Sequence, residues 1–106
     1  MEKIKTEIRK LAEKELKRAN KKFPLFHSDH EALGVLEEEM FEVDVEWDCL
    51  KMIFDDFALD VFRDEEIEKI IDIQNMKDYA IKTCAELVQV IAMCDKFIVS
   101  RNERNE

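Results

Sequence analysis

Apolar residues recur at helical spacing along almost the whole chain, and the positions between them are mostly charged. Ile4, Ile8 and Leu11 fall on one side of a helix over residues 2 to about 20, with Glu15 on that side, Ala12 and Ala19 beside them, and Lys and Glu covering the rest. One apolar stripe of this kind packs against a partner helix. Asn20-Lys21-Lys22-Phe23-Pro24 ends it, because proline pushes Phe23 out of the helical region, so residues 23 to 27 are expected to form an ordered loop. A second helix has a clear start. Ser28 is a good N-cap, Glu31 three residues later completes a capping box, and Asp29 suits the positive end of the helix dipole. The pattern then runs through Ala32, Leu33, Val35, Leu36, Met40, Val43 and Trp47. Gly34 sits inside this run, where glycine costs about 1 kcal/mol relative to alanine. Either another group approaches closely there or the residue is simply tolerated.

Residues 48 to 66 interleave Leu50, Ile53, Phe54, Phe57, Leu59, Val61 and Phe62 with Asp55, Asp56, Asp60 and Asp64. They either continue the second helix or form a short one, with a break expected near Asp60 to Asp64. The last helix is expected from about Glu65 to Val99, with an interruption at Gln74-Asn75, where helix propensity is weaker. Arg101 to Glu106 reads as a polar, frayed tail. The expected fold is all-α: a bundle of four to five helices in a single domain, residues 1 to 100, followed by the tail 101 to 106.

Composition narrows the classes. The chain has 106 residues, room for one ordinary domain, and only one Gly and one Pro, which excludes turn-rich all-β folds. Twenty-six acids against 17 bases give a formal charge of −9, which repels duplex nucleic acid. No run approaches the ~18–20 apolar residues of a membrane span, and Met1-Glu2-Lys3-Ile4-Lys5 has no targeting pattern, so a cytoplasmic protein is expected. Cys49, Cys84 and Cys94 read as reduced small hydrophobes, their spacing matching no zinc motif. The final helix is apolar on nearly every side between Leu87 and Ile98. A domain of this size buries only about 60–70% of its surface, so a second chain is expected to cover that helix in a homodimer or homotetramer.

Two groups of polar residues carry candidate chemistry. Glu37-Glu38-Glu39-Met40-Phe41-Glu42, continuing to Asp44 and Glu46, puts like charges one turn apart, which destabilises a helix by a few tenths of a kcal/mol per pair (~0.2–0.5). Such a concentration suits a hard divalent cation, which prefers oxygen ligands. The plainer alternative is a solvated acidic face. From Cys84 to Cys94, nine of eleven residues are apolar, and the exceptions, Glu86 and Gln89, are three apart on one face that Asp78 and Lys82 extend. Burying a carboxylate is costly unless it is paired or metal-bound. Glu86 is therefore either paired, with Lys82 as the candidate, or one half of a metal cage whose other half lies on the Glu39/Glu42 helix.

These segments resemble the MazG-like all-α nucleoside triphosphate pyrophosphohydrolases. That superfamily carries E-x-x-E on one helix and E-x-x-D on a later one. The short phage and bacterial type adds F-x-S-x-H-E, E-E-x-x-E and E-x-x-Q-V-x-A-M. Here the matching pieces are Phe26-His27-Ser28-Asp29-His30-Glu31, Glu38-Glu39-Met40-Phe41-Glu42, and Glu86-Leu87-Val88-Gln89-Val90-Ile91-Ala92-Met93. The resemblance covers roughly residues 18 to 99 and implies Mg²⁺-dependent hydrolysis of a (d)NTP to monophosphate and pyrophosphate, with Mn²⁺ as a substitute. It also implies dimers or tetramers. On this resemblance Glu39, Glu42, Glu86 and Gln89 carry metal, and Glu38 orients or deprotonates the water. Lys82 and Lys21 or Lys22 meet phosphate oxygens, and His30 and Asp78 stand on the substrate side. Trp47, Phe23 and Phe26 are available to stack on a base. Gln89 departs from the superfamily's aspartate, offering a neutral oxygen in place of a charged one. Two other readings remain open: a non-catalytic helical module of the same fold that binds a nucleotide or protein, and an unrelated helical protein whose acidic face meets a basic partner.

Overall fold

The computed structural model describes residues 1–22 and 25–105, with residues 22, 104 and 105 described by backbone alone. Three helices account for nearly all of them: α1 (Glu2–Lys22), α2 (Asp29–Arg63) and α3 (Glu66–Asn105). There is no strand among the described residues. Ser28 begins α2 as its spacing predicts, its Oγ accepting the Glu31 N–H at 3.1 Å.

Among the described residues the helix count is three, not the four or five expected. Residues 48 to 63 continue α2, because Leu50, Ile53 and Phe57 keep a half-buried stripe in helical register. Gln74-Asn75 does not interrupt α3. The weaker propensity of those two residues costs only tenths of a kcal/mol (~0.5 each), which a helix already nucleated on both sides absorbs. Nor does α3 stop at Val99: it continues to Asn105, and Arg101 pairs with Asp29 at 3.2 Å.

The break that does occur is sharp. Asp64 adopts φ 55°, its N–H donates to Val61 O at 3.2 Å, and the Glu65 N–H donates to Asp60 O at 3.0 Å. This pair of bonds is a Schellman C-cap with aspartate where glycine is usual. Lys69 then pairs with Asp64 at 3.0 Å and with Glu66, tying α3 to the turn.

The chain divides into two compact units, Met1–Met40 with Glu86–Glu106, and Phe41–Ala85. The first unit holds α1, the start of α2 and the end of α3. Its core is Phe26, Ala32, Ala92 and Met93, against which Leu16, Ala19, Val35, Leu36 and Phe97 pack. The buried stripe of α1 is Ala12, Leu16 and Ala19; Ile4 and Leu11 stay exposed, contrary to the sequence expectation. Small residues win that face because they let helices approach closely. Likewise α3 buries one face only, Ala92, Met93, Lys96 and Ser100, and leaves Leu87 and Ile98 exposed. Phe26 is held by its own backbone: its N–H donates to Ser100 Oγ at 2.9 Å, and that hydroxyl donates to Lys96 O at 2.7 Å. Phe23 and Pro24, part of the expected loop, lie outside the described residues. Gly34 has no other group within 4 Å of where a Cβ would sit, so it is tolerated rather than required.

The second unit is a helical hairpin formed by the rest of α2 and the start of α3. Val43, Leu50, Ile53 and Phe57, with Met76, Tyr79 and Ala80, are half-buried. Thr83 is its buried residue, with Oγ1 donating to Tyr79 O at 2.7 Å. No helix among the described residues is long and apolar enough to cross a membrane.

Candidate functional site

Three helix faces of the first unit line one cavity of about 500 Å³. From α1 come Arg18 and Ala19; from α2, Glu31, Val35 and Glu39, spaced four apart; from α3, Gln89, Met93 and Lys96. Phe26 reaches it from the preceding loop. Each set falls on one face at helical spacing, so three regular helices suffice to converge these side chains.

The cavity holds charge of both signs. Lys96 is only 4% exposed and its Nζ lies 4.7 Å from the centre of the Phe26 ring, a cation–π contact. Burial pushes its pKa down, and the nearby Glu31 carboxylate partly opposes that. Arg18 Nε donates to both oxygens of Glu15, at 2.9 and 3.0 Å. Glu15 is held below the usual carboxylate range, first by Arg18, against the cost of its burial, and also by a hydrogen bond from the Gln89 amide. Gln89 lines the cavity beside this pair and brings an amide with one donor and one acceptor end.

The acids named from the sequence do come together. Glu39, Glu42 and Glu86 each offer a carboxylate oxygen, and these lie within 4.8 Å of one another. Glu39 and Glu86 belong to the first unit; Glu42 follows Glu39 by one turn of the same unbroken helix. Glu39 and Glu86 are half-buried and Glu42 is exposed. An octahedral Mg²⁺ with oxygens at about 2.1 Å sets ligand oxygens roughly 3–4 Å apart. The observed spread is wider than that by up to about an ångström, so the three glutamates are an acidic cluster of the oxygen-donor type that a hard divalent cation takes, not one already at its ligand spacing.

The remaining sequence candidates are dispersed. Glu38 and His30 are exposed and do not line the cavity. Lys22 ends α1, and its side chain lies outside the described residues. Asp78 and Lys82 stand on the α3 segment of the second unit, where Lys82 Nζ sits 4.6 Å from the centre of the Tyr79 ring. Trp47 is also in the second unit, whereas Phe26 does line the cavity. Sequence reasoning missed Glu15, Arg18, Glu31 and Lys96. For Lys96 a signal existed: it lies seven residues from Gln89 and ten from Glu86, on the same helical face.

No family model matches the chain, and neither the curated proteins nor the solved structures contain a match to it. The resemblance to the MazG-like pyrophosphohydrolases therefore rests on the three segments themselves.

Proposed function

We propose that the chain is a metal-dependent nucleoside triphosphate pyrophosphohydrolase, converting a (d)NTP and water to the monophosphate and pyrophosphate. The observation that carries this reading is the joining, in one cavity, of carboxylate and amide oxygens (Glu39, Gln89) with two cationic side chains (Arg18, Lys96) over an apolar floor. A triphosphate with its counter-cation needs both kinds of group side by side.

Glu39, Glu42 and Glu86, with the Gln89 carbonyl oxygen, would hold Mg²⁺ or Mn²⁺, which when bound supplies positive charge against the triphosphate oxygens. Lys96 and Arg18 meet phosphate oxygens that the cation leaves uncovered, and this assignment replaces Lys22 and Lys82. Phe26, Val35 and Met93 exclude water from the rest of the cavity, which strengthens those contacts. Glu38 is exposed and off the cavity, so the proton of the attacking water is released to solvent. The new P–O bond forms as the bond to the pyrophosphate leaving group breaks. No side chain is modified, so position and charge do the catalysis.

The direct test is pyrophosphate release from each (d)NTP with Mg²⁺, repeated with Glu39→Gln and Glu86→Gln. Release that both substitutions abolish supports the reading. Gln89 in place of a fourth carboxylate favours a second reading, a module that binds nucleotide and metal without turnover: saturable, metal-dependent binding with no pyrophosphate would select it. Absence of both binding and release would remove the nucleotide altogether. Self-association, as a homodimer or homotetramer, is part of the proposed reading.

A further inference from the structure

One turn of α3 holds a single loop residue at two points. Ser100 is 1% exposed, and its Oγ accepts the Phe26 N–H at 2.9 Å while donating to Lys96 O at 2.7 Å. Lys96 precedes it by four residues, so the two side chains share a helix face. The Lys96 Nζ lies 4.7 Å from the centre of the Phe26 ring. Residue 100 therefore fixes the backbone of Phe26, and residue 96 meets its ring. A serine hydroxyl on a helix readily bonds the carbonyl four residues back, and that bond alone adds nothing to the helix. Here it also turns the hydroxyl proton away from the loop and leaves a lone pair for the Phe26 N–H, which precedes α2 and has no helical acceptor. Alanine at position 100 would leave that buried donor unsatisfied.

The ring matters because of the cation it faces. Lys96 is 4% exposed, and burial disfavours an ammonium. A carboxylate set directly on the ammonium would restore its charge but would compete with a phosphate for it. A ring face stabilises the cation without bringing an anion of its own. Glu31, Glu39 and Arg18 are the other charged groups lining this cavity, and Arg18 enters it with its Nε already donating to Glu15.

We propose that Ser100 is a positioning residue for the anion-binding cation of this cavity: it fixes the Phe26 backbone, the Phe26 ring fixes the Lys96 ammonium, and the ammonium meets the phosphate. The proposal rests on the reading above, in which the cavity takes a triphosphate. It gives the end of α3 a part in the site. Arg101, the next residue, pairs with Asp29 at the start of α2 and makes a second tie across the same loop. That pair is exposed and screened by solvent, so the buried hydroxyl carries the positioning.

Two readouts test this, and neither needs turnover. Protons above an aromatic ring resonate upfield. The Lys96 Cε methylene of the full chain, assigned by its absence in Lys96→Met, should be upfield in the wild type and return to the ordinary lysine position in Ser100→Ala. Ser100→Thr keeps the hydroxyl and should keep the shift. Titration calorimetry with inorganic triphosphate and Mg²⁺ should show binding weakened about tenfold by Ser100→Ala and little changed by Ser100→Thr. Phe26→Leu retains an apolar side chain and the Ser100 hydroxyl. It should reproduce both losses, and it serves if Ser100→Ala does not fold. In a Lys96→Met background, Ser100→Ala should weaken triphosphate binding no further, because its effect passes through Lys96. A serine with a purely structural role would give losses that add. Additive losses, or a Lys96 methylene that stays upfield in Ser100→Ala or Phe26→Leu, overturn the proposal. A wild type that binds no triphosphate overturns the functional reading and the role of Lys96 in it. Wild-type binding that both Ser100→Ala and Phe26→Leu leave intact refutes the positioning role alone.

Discussion

Gln89 is where the chain departs from four carboxylates, and its surroundings say what restoring one would do. It lines the cavity with Arg18, whose guanidinium already holds the charge of the neighbouring Glu15. Gln89→Asp replaces a donor with a second anion facing Glu15 and adjacent to Glu86 on the same helix face, so in chelator the melting temperature should fall. With Mg²⁺ or Mn²⁺ present a charged oxygen replaces a neutral one in the donor set, and the mutant should recover more of its melting temperature than the wild type gains. Equal metal responses in the two proteins would show that residue 89 faces away from any ion. Asp72 offers an independent check in the hairpin. Its pKa is pushed up to about 6 by its hydrogen bond with Asp60, by burial, and by the charges of Asp60, Asp56 and Glu68. A carboxyl with a raised pKa holds its proton more tightly in the folded state, so stability falls as pH rises from the unfolded value near 4 through about 6. Thermal melts from pH 4.5 to 7.5 should show that decline, and Asp72→Asn should flatten it while raising the melting temperature at pH 7.5.

At the scale of elements, the α2–α3 turn depends on one backbone conformation. Asp64 sits at φ 55° and is 84% exposed by side chain, so its identity matters for the backbone more than for packing. Aspartate tolerates the left-handed region better than branched residues, for which it costs about 1–2 kcal/mol. Asp64→Val should therefore lower stability by about that amount in a urea melt. Asp64→Gly should be near neutral, because relief of the backbone is offset by loss of an exposed, solvent-screened ion pair with Lys69. Equal losses for valine and glycine would mean that the ion pair, not the dihedral, holds the turn. This turn was legible from the run of aspartates around it, as the start of α2 was legible from Ser28 and Glu31. The Gln74-Asn75 break was misjudged because propensity is a local quantity, whereas a helix of 40 residues is held by its length and contacts. In the site, spacing left Glu38–Glu42, Glu39–Glu42 and Glu42–Glu46 equally open, and only the resemblance singled out Glu39 and Glu42 beside Glu86. Lys96 over Phe26 could not be read at all, because that contact needs a loop docked on Ser100, 74 residues away in the chain.

On the whole-molecule scale, charge and the acidic site act together but can be separated. The chain carries −9 on 106 residues, and the self-repulsion of a compact state with that charge is screened by any salt. Raising NaCl should therefore raise the melting temperature gradually, without saturating at low concentration. Mg²⁺ at matched ionic strength gives the same screening, plus a term for any site that binds it in the folded state alone. That term grows as RT ln(1 + [Mg²⁺]/Kd), about 2.7 kcal/mol at a hundredfold excess over Kd. The wild type should accordingly gain more from millimolar MgCl₂ than from NaCl of equal ionic strength. Glu39→Gln and Glu86→Gln should lose that excess while keeping the NaCl response, since each removes one donor and only one of the nine net negative charges. Melting curves that overlay in the two salts for the wild type would show that the three glutamates are a solvated acidic face, and the metal-dependent reading of the cavity would fall with them.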